Sequence, residues 1–446
     1  MRPTVIVGGG TSGLAAAYTL ERAGAPHAVL EKRDVSGGRI AGKIVNGFTL
    51  DLGAQFMFSR YRTLADLLET LGVRDQLLYF RPFLAIARHG TTSPFSMDLR
   101  EYGLHPLETI KSLNRLLSFR GQLRLVQFGL KCASLGRQLD FDDPLKAVEL
   151  DSLSFAEYAL RHFGKEILDH VVQPLASTLT LGTPEEISAA YGLALAWWMA
   201  PGLGTFRTGG IGFLAETLSA QVRGNLRLNT SVTRIVVENK KVRGVEIANG
   251  GTPEFIEADN VICGTPAGEA ARLLGDLPNP ITEILAGIRY SACVHVMLGV
   301  PGRPLGKLYG VSTLRQDGLC FSVLTESALK APGYTPAGAG LIHAFTYAEF
   351  ASQMLEMSET AILRRVMTDI RRLLPNFPDP LFCEIVRWPQ AVCLSSPGQI
   401  AQVQALGNAL RAYEGLHLAG EYFGMPSVEA ALTSGVRAAE RVLTGC

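Results

Sequence analysis

Residues 5–17 read Val-Ile-Val-Gly-Gly-Gly-Thr-Ser-Gly-Leu-Ala-Ala-Ala, and residues 28–31 read Ala-Val-Leu-Glu. A short apolar run meets a cluster of glycines, continues into a stretch rich in alanine and leucine, and returns to an apolar run that ends in an acid. This order predicts a buried strand, a tight turn, a helix and a second strand. The stretch is therefore typical of the first βαβ unit of a dinucleotide-binding domain.

The glycines of this turn have separate roles in such a unit. Gly8 makes the tight turn, Gly10 lets the backbone approach a pyrophosphate, and Gly13 lets the helix pack closely on the strand. Glu31 stands 23 residues after Gly8, where a carboxylate can accept hydrogen bonds from ribose hydroxyls. Three spaced glycines alone are weak evidence in a chain with 47 glycines, but their place between a strand and a helix is specific.

Composition describes a globular protein with room for two domains, because 47% of its 446 residues are hydrophobic and 19% are charged. Lysine and arginine total 42, and aspartate and glutamate total 41, so the chain lacks the basic excess of a nucleic-acid-binding protein. The longest nearly apolar run, residues 187–200, is shorter than the roughly 20 residues of a membrane-spanning helix. We expect no nucleic acid partner and no spanning helix.

The seven cysteines are scattered, odd in number and without a Cys-x-x-Cys pair. This pattern disfavours a disulfide framework or a zinc site, so we expect reduced thiols and a cytoplasmic location. His162 and His170 lie on one predicted helix with Glu166 and Asp169, but eight residues of helix separate the imidazoles by about 12 Å. One ion cannot bind both, and we expect no metal.

A second glycine pair follows at Gly37-Gly38-Arg39, where backbone can approach a ligand while a guanidinium faces it. Residues 48–56 then predict a strand that runs into a bend containing Gly53. Four segments together carry a resemblance to a known superfamily: Gly8–Gly13, Glu31, Gly37-Gly38-Arg39 and Asp51-Leu-Gly-Ala54. They resemble the FAD-binding half of the proteins in the superfamily of flavin amine oxidases, protoporphyrinogen oxidases and phytoene desaturases.

The resemblance implies FAD as the cofactor, since a dehydrogenase that binds only nicotinamide is not expected to carry the Gly-Gly-Arg and Asp-x-Gly-Ala segments. It implies an α/β fold in which a Rossmann-like FAD-binding domain is joined to a substrate domain of mixed sheet and helix. By this resemblance the FAD-binding domain is discontinuous and comprises residues 1–76, 208–288 and 386–446. The substrate domain comprises residues 77–207, which are mainly helical, and 289–385.

The same resemblance predicts the cofactor contacts. Backbone near Val232 would hold the adenine end, Trp388 would lie at the flavin edge, and Glu421 would lie near the ribityl chain or the phosphates. A helix that begins near Ser427 and Val428 would direct N–H groups at the flavin pyrimidine. The expected FAD contacts are Gly8, Gly10, Thr11, Ser12, Gly13, Glu31, Lys32, Gly38, Arg39, Gly53, Ala54, Gln55, Phe56, Val232, Trp388, Gly420, Glu421, Ser427 and Val428. The candidate substrate contacts are Gln55, Phe56, Trp388 and Tyr422.

The sequence departs from the amine oxidases in two respects. Many of them carry a lysine on the strand that corresponds to residues 288–300, and here that strand has none. Two flavin-flanking aromatic residues are replaced by Ser395 and Ser427. These departures favour an enzyme that resembles protoporphyrinogen oxidase or a desaturase, and no obligatory acid or base is visible.

Three hypotheses for function stay open at this point. The first is an FAD-dependent oxidase or dehydrogenase that transfers a hydride from a hydrophobic small molecule to flavin N5 and passes electrons to dioxygen or another acceptor. The second is an amine oxidase of specialised metabolism. The third is a flavin-binding protein without turnover.

Residues 109–139 contain six basic residues and no acidic one. Leucine, valine and phenylalanine alternate with these cations at helical spacing, so the segment predicts a basic amphipathic helix. Such a helix can lie on the anionic inner face of a membrane as a peripheral contact. A solvated face of a substrate-domain helix is the alternative.

Overall fold

The computed structural model describes residues 2–88, 90–94, 106–249 and 252–445. Its strands are β1 (Thr4–Val7), β2 (His27–Leu30), β3 (Gly42–Val45), β4 (Phe48–Asp51), β5 (Met57–Phe58), β6 (Leu77–Phe80), β7 (Leu84–Arg88), β8 (Thr91–Pro94), β9 (Leu203–Phe206), β10 (Leu226–Arg227), β11 (Ser231–Glu238), β12 (Lys241–Asn249), β13 (Thr252–Glu257), β14 (Val261–Cys263), β15 (Cys293–Pro301), β16 (Gly310–Thr313), β17 (Phe321–Glu326), β18 (Ala339–Thr346), β19 (Phe382–Trp388) and β20 (Leu416–Leu418).

The α-helices alternate with these strands in the first and last parts of the chain and cluster between β8 and β9. They are α1 (Thr11–Arg22), α2 (Arg62–Thr70), α3 (Pro106–Leu116), α4 (Phe119–Leu135), α5 (Phe155–Phe163), α6 (Lys165–Ile167), α7 (Gln173–Thr180), α8 (Ala189–Met199), α9 (Gly212–Gln221), α10 (Ala267–Leu273), α11 (Asn279–Gly287), α12 (Ala348–Met354), α13 (Glu359–Leu373), α14 (Gln399–Leu410) and α15 (Val428–Thr444).

A parallel sheet organises the first part of the fold, with strand order β10-β2-β1-β14-β20. Val5 pairs with Ala28 on one side and with Val261 on the other. Residues 4–7 are all buried, as expected for a strand covered on both faces by helices. The strands run parallel, so their carboxyl ends share one edge, and the glycine turn after β1 lies there.

Helices α1 and α15 join the two ends of the chain against this sheet. A side chain at Gly435 of α15 would overlap the carbonyl oxygen of Ser12 in α1, so the two helix backbones are in close contact. Five of the twelve residues of α1 are alanine or leucine without exposed surface, which suits a helix packed between a sheet and a second helix. The amino-terminal and carboxyl-terminal motifs are thereby brought together.

A second sheet has strand order β19-β15-β18-β17-β16-β7-β8. Its pairs are antiparallel except for β16 with β7. Strands β15, β17 and β18 are almost entirely buried, and α13 contributes Ile362, Val366 and Ile370 to the core on one face. The domain boundaries at residues 76, 207, 288 and 385 stay a proposal.

The helical part differs from the predicted helices at two points. The single helix predicted within residues 109–139 is divided into α3 and α4 at Ser118, whose hydroxyl caps α4 by accepting from the N–H of Gly121 at 3.1 Å. The one helix predicted to carry His162 and His170 is interrupted at Gly164, which has φ of 83°, and helical structure resumes as α6 and a π-helical turn over Leu168–Val172. A positive φ of this size strains residue types other than glycine, so one continuous helix does not pass through Gly164. No helix in the described part of the chain is long and apolar enough to cross a membrane.

Candidate active site

The glycine turn between β1 and α1 has a distinct contact at each glycine. Gly8 has φ of 98°, and a side chain at Gly13 would overlap the carbonyl oxygen of Gly8. Gly10 precedes α1 in an extended conformation, and a Cβ added there would meet no atom of the described residues within 4 Å. Gly8 and Gly13 are thus required by the protein itself, whereas the space above Gly10 is free for a ligand.

The second glycine pair packs directly on this turn. The N–H of Gly37 donates to the carbonyl of Gly9 at 2.7 Å, and Gly37 forms a bridge with Gly10. Gly37 and Gly38 both have positive φ, which a non-glycine residue would adopt only with strain. The chain then leads to Arg39 beside the open space over the first turn.

Glu31 is buried at the end of β2 and binds backbone. Its Oε2 accepts from the N–H of Gly9 at 2.7 Å and its Oε1 accepts from the N–H of Arg33 at 2.9 Å. The carboxylate therefore holds the glycine turn in place, and the ribose contact expected of Glu31 stays a prediction. The neighbouring Lys32 is exposed.

Arg39 and Glu421 form an ion pair that joins the two ends of the chain. The Arg39 Nη2 lies 2.7 Å from Oε2 of Glu421, and Nη1 donates to the carbonyl of Ala391 at 3.3 Å. Burial lowers the pKa of Arg39, but Glu421 and Tyr290 outweigh it and the net pKa is raised. The other Glu421 oxygen, Oε1, is buried without a partner among the described residues. It is free to accept a hydrogen bond from a ligand hydroxyl.

The amino terminus of α15 faces the same space. Ser427 caps the helix, since its Oγ accepts from the N–H of Ala430 at 3.1 Å and donates to the carbonyl of Met425 at 3.0 Å. Tyr191 of α8 donates to the carbonyl of Pro426 at 2.8 Å and so fixes the turn before the helix. The helix dipole and the free N–H groups favour negative charge at this end.

A cavity of about 1250 Å³, including the solvent at its mouth, lies in front of these groups. The cavity joins the first glycine turn at Thr11, the bend at Gly53 and the amino terminus of α15 at Ser427 in one continuous space. The expected contacts that line it are Thr11, Arg39, Gly53, Ala54, Gln55, Phe56, Trp388, Glu421, Ser427 and Val428. The expected contacts outside its lining are Gly8, Gly10, Ser12, Gly13, Glu31, Lys32, Gly38, Val232 and Gly420.

Tyr422 does not line this cavity, which corrects its place among the candidate substrate contacts. The residues after Gly420 form a short 3-10 turn, and Tyr422 packs into the core behind the parallel sheet. It lines a separate, smaller pocket together with Ser395. Ser395, which the resemblance placed beside the flavin, does not line the large cavity either.

Several residues that line the cavity carry no signal in the sequence. Two are Tyr61, which precedes α2, and Tyr191, and both give the cavity aromatic walls that the expected serines do not supply. Cys293 and Cys393 also line it, and burial raises the pKa of each thiol to about 12, so both stay protonated. None of these residues belongs to a motif, since each reaches the cavity through tertiary packing.

A buried lysine supports the bend that carries Gly53, although β15 has none. The Nζ of Lys330 lies 2.7 Å from Oδ2 of Asp51 and donates to Oε1 of Gln55 at 2.8 Å. Both charged side chains of the pair are fully buried. Asp51 also accepts from the N–H of Ile211 at 2.6 Å, so its carboxylate ties three segments together behind the cavity.

Two buried histidines, His295 and His343, also stabilise the bend that carries Gly53. His295 Nδ1 lies 3.0 Å from the carbonyl of Leu52, which can only accept, so Nδ1 carries the proton. His295 Nε2 then accepts from Nδ1 of His343 at 2.8 Å, and Nε2 of His343 accepts from the hydroxyl of Ser327 at 2.8 Å. Trp388 donates to the same Leu52 carbonyl at 2.9 Å. The chain of hydrogen bonds fixes the backbone immediately before Gly53.

This network predicts that His295 stays neutral in mildly acidic solution. Burial lowers its pKa to about 3, whereas an unfolded chain binds the proton near pH 6.5. Stability is therefore lost as pH falls from about 6.5 to 3, by about 1.4 kcal/mol per pH unit from this residue. NMR of ¹³C-labelled histidine, assigned with a His295→Asn variant, should show no titration of His295 above about pH 4. A midpoint near pH 6.5 would contradict the assigned network.

The residues present fit FAD. The open space over Gly10 suits a pyrophosphate, the unpartnered Glu421 oxygen suits a hydroxyl of the ribityl chain, and the amino terminus of α15 suits an electron-rich ring edge. Within the described ranges, no group of three or more histidine, cysteine, aspartate or glutamate side chains is placed to hold a metal ion.

Known proteins share both the sequence pattern and the fold. Residues 11–443 match the family model for flavin containing amine oxidoreductase. Coproporphyrinogen III oxidase of Bacillus subtilis (strain 168) is 22% identical over 479 residues, which cover 99% of this chain and 97% of that protein. The chloroplastic/chromoplastic 15-cis-phytoene desaturase of Arabidopsis thaliana is 25% identical over 467 residues, covering 97% and 78%.

Among solved structures, putrescine oxidase bound to putrescine superimposes with a TM-score of 0.75 at 19% identity, covering 99% of each chain. A match at this identity shows the fold, while the family match spans nearly the whole chain. The protein thus belongs to the flavin-containing amine oxidoreductase family and is an FAD-dependent oxidoreductase with the two-domain α/β fold of that family.

Proposed function

We propose that the enzyme oxidises a hydrophobic small molecule by hydride transfer to flavin N5, as a protoporphyrinogen oxidase or a desaturase does. The observation that carries this proposal is the neutral wall of the cavity. The wall residues outside the expected FAD contacts include Thr178, Leu179, Leu181, Leu195, Val323, Thr325 and Phe345. Among the described lining residues, Arg39 and Glu421 bear charge, and they pair with each other. Such a wall favours an uncharged reacting centre and excludes water.

The similar proteins support the same class of substrate. The Bacillus subtilis relative is named coproporphyrinogen III oxidase, and the Arabidopsis thaliana relative is named 15-cis-phytoene desaturase. Both align over nearly the whole of this chain. We therefore place porphyrinogens first and polyenes second among the candidate substrates.

The roles of individual residues follow from their positions. FAD, when bound, would accept a hydride at N5 from a substrate C–H bond and pass the electrons to dioxygen or another acceptor. The amino terminus of α15 at Ser427 and Val428 would stabilise negative charge on the reduced ring, and Arg39 would hold a phosphate. We propose that Gln55, Phe56 and Trp388 contact the substrate. The other expected FAD contacts and the division into two domains remain part of this proposal.

A second candidate is an amine oxidase of specialised metabolism. Tyr61, Tyr191 and Trp388 line the cavity, and aromatic faces attract ammonium groups. The fold is also that of putrescine oxidase. No carboxylate other than the paired Glu421 is available among the described lining residues, so this candidate ranks below the first.

Anaerobic stopped-flow reduction of the bound flavin tests the proposal. We expect a porphyrinogen or a polyene to bleach the flavin, and putrescine or an aromatic amine to leave it oxidised. A Leu179→Asp variant should reduce this rate at least about tenfold, because it places an unpaired charge in the neutral wall. Leu179→Met, which conserves volume, is the control, and both should retain FAD. Bleaching by amines alone would establish the second candidate instead.

The compartment and the electron acceptor are further parts of the proposal. We propose a cytoplasmic enzyme, because its cysteines are scattered and odd in number, and a peripheral membrane contact through residues 109–139. Dioxygen is the simplest acceptor to test, since hydrogen peroxide would then appear in proportion to substrate oxidised.

A further inference from the structure

A small apolar pocket lies directly beside the large cavity, between α7 and the strands β7 and β16. We call it the side pocket. Its described lining residues are apolar except for Thr178 and Ser312. Ile86, Val171 and Leu175 are among them, and each is at most 9% exposed, so the interior of the pocket is shielded from bulk water.

One side chain separates the side pocket from the cavity on the α7 side. Thr178 lines both spaces, and its Oγ1 lies 2.8 Å from Oγ of Ser312 in a hydrogen bond. The two hydroxyls of the side pocket thus bind each other, and its other described lining side chains carry no polar group. A buried water ordinarily needs about two to four polar partners, so the pocket favours an apolar occupant over water.

The same face of the antiparallel sheet forms a wall of both spaces. Val323 on β17 is in register with Ser312 on β16, and Ser312 is in register with Ile86 on β7. Residues paired in this way share one face of a sheet. Val323 lines the cavity and Ile86 lines the side pocket, so the two spaces are neighbours along one continuous surface.

The next row across these strands has no side chain at its centre. Thr325 pairs with Gly310, and Gly310 pairs with Leu84. A Cβ added at Gly310 would lie 2.9 Å from Cδ2 of Leu84, which lines the side pocket, and 3.6 Å from Cγ2 of Thr325, which lines the cavity. Rotation of the leucine tip, a fast motion, would therefore open the sheet face between the two spaces.

We propose that the side pocket collects dioxygen and delivers it to the cavity between Gly310 and Thr178. Dioxygen is a small apolar molecule, and a pocket of this kind takes up such molecules in preference to water. In the cavity, dioxygen would take two electrons and two protons from the reduced flavin and leave as hydrogen peroxide. The inference rests on the proposed use of dioxygen as electron acceptor, and it does not depend on the substrate.

Xenon is a probe for the pocket itself, because this apolar atom enters apolar cavities that water leaves empty. Crystals of the holoenzyme under xenon pressure should show anomalous density between Leu84, Leu175 and Thr178. A side pocket without xenon would overturn the inference.

Reoxidation of the flavin tests the passage. Photoreduced holoenzyme mixed with buffers of known dioxygen concentration gives the second-order rate constant without any substrate. Gly310→Val places an isopropyl group between Leu84 and Thr325, so dioxygen would pass only when a side chain leaves its preferred rotamer, and the rate constant should fall about fivefold. Leu175→Phe fills the pocket from α7 and should lower the rate constant to a similar degree.

A matched control separates the passage from a general effect of added bulk. Gly204 lies on β9 outside the lining of both spaces, and a Cβ there would make ordinary contacts of 3.5 Å or longer, so Gly204→Val should leave reoxidation unchanged. Equal rate constants in wild type and both filled variants would overturn the inference. Slower flavin reduction with unchanged reoxidation would also overturn it, by assigning the pocket to the substrate. A wild-type flavin that dioxygen does not reoxidise would refute the acceptor and the inference together, while the substrate proposal would stand.

Discussion

Replacing Gly10 with valine is expected to give a folded, colourless protein whose affinity for FAD is at least about 100-fold lower. Gly10 has φ of −79° and ψ of −175°, which valine adopts without strain. Within the part of the chain that the structure describes, a Cβ at this position would meet no atom within 4 Å. The fold therefore has no need of glycine there, and an added isopropyl group would occupy the space that the pyrophosphate requires.

Titration of the apoprotein with FAD, followed by flavin fluorescence, measures this loss, and thermal unfolding of the apoprotein shows whether the fold is intact. Gly13→Ala is the contrasting variant, because its methyl group would overlap the carbonyl oxygen of Gly8. We expect it to destabilise the apoprotein by about 3 kcal/mol, as overpacking against backbone does. If Gly10→Val retained FAD stoichiometrically, the pyrophosphate would not lie over this glycine.

The first βαβ unit could be predicted because its determinants are local. Strand, turn and helix are encoded within residues 4–31, and the structure contains all of them. The hydrogen bond from the N–H of Gly9 to Glu31 also lies within this unit. A carboxylate at this position can bind either a ribose hydroxyl or the backbone, and the sequence is the same in both cases. A motif therefore identifies such a carboxylate without saying which partners it has.

The support behind the cavity could not be predicted, because its members are far apart in the chain. Lys330 reaches Asp51 from the loop after β17, although the resemblance directed attention to the strand at residues 288–300. Tyr191 enters the cavity from a helix that is apolar on all sides and therefore has no periodicity to read. Tyr422 is next to a cavity residue in the sequence but does not line the cavity. It follows Glu421 directly, and a single 3-10 turn directs its side chain into the core.

Replacing Lys330 with methionine is expected to lower the free energy of unfolding by about 3–5 kcal/mol, the cost of leaving one member of a buried ion pair uncompensated. Methionine has nearly the length of the lysine chain, so the loss reflects charge rather than a cavity. Asp51 would keep its hydrogen bond from the N–H of Ile211 but would lose its cation. Gln55, a cavity residue, would lose its donor.

Equilibrium urea unfolding with saturating FAD, followed by tryptophan fluorescence, measures this cost. Arg315→Met is the matched control, because Arg315 pairs with Glu349 at the surface, where an ion pair contributes at most about 1 kcal/mol. The double variant Lys330→Met/Asp51→Asn should recover much of the stability, since asparagine is neutral and still accepts from Ile211. Such a recovery would show that the uncompensated charge of Asp51 causes the loss of stability. If instead the single Lys330→Met variant were nearly as stable as wild type, the backbone N–H of Ile211 alone would hold Asp51. Lys330 would then act only on Gln55.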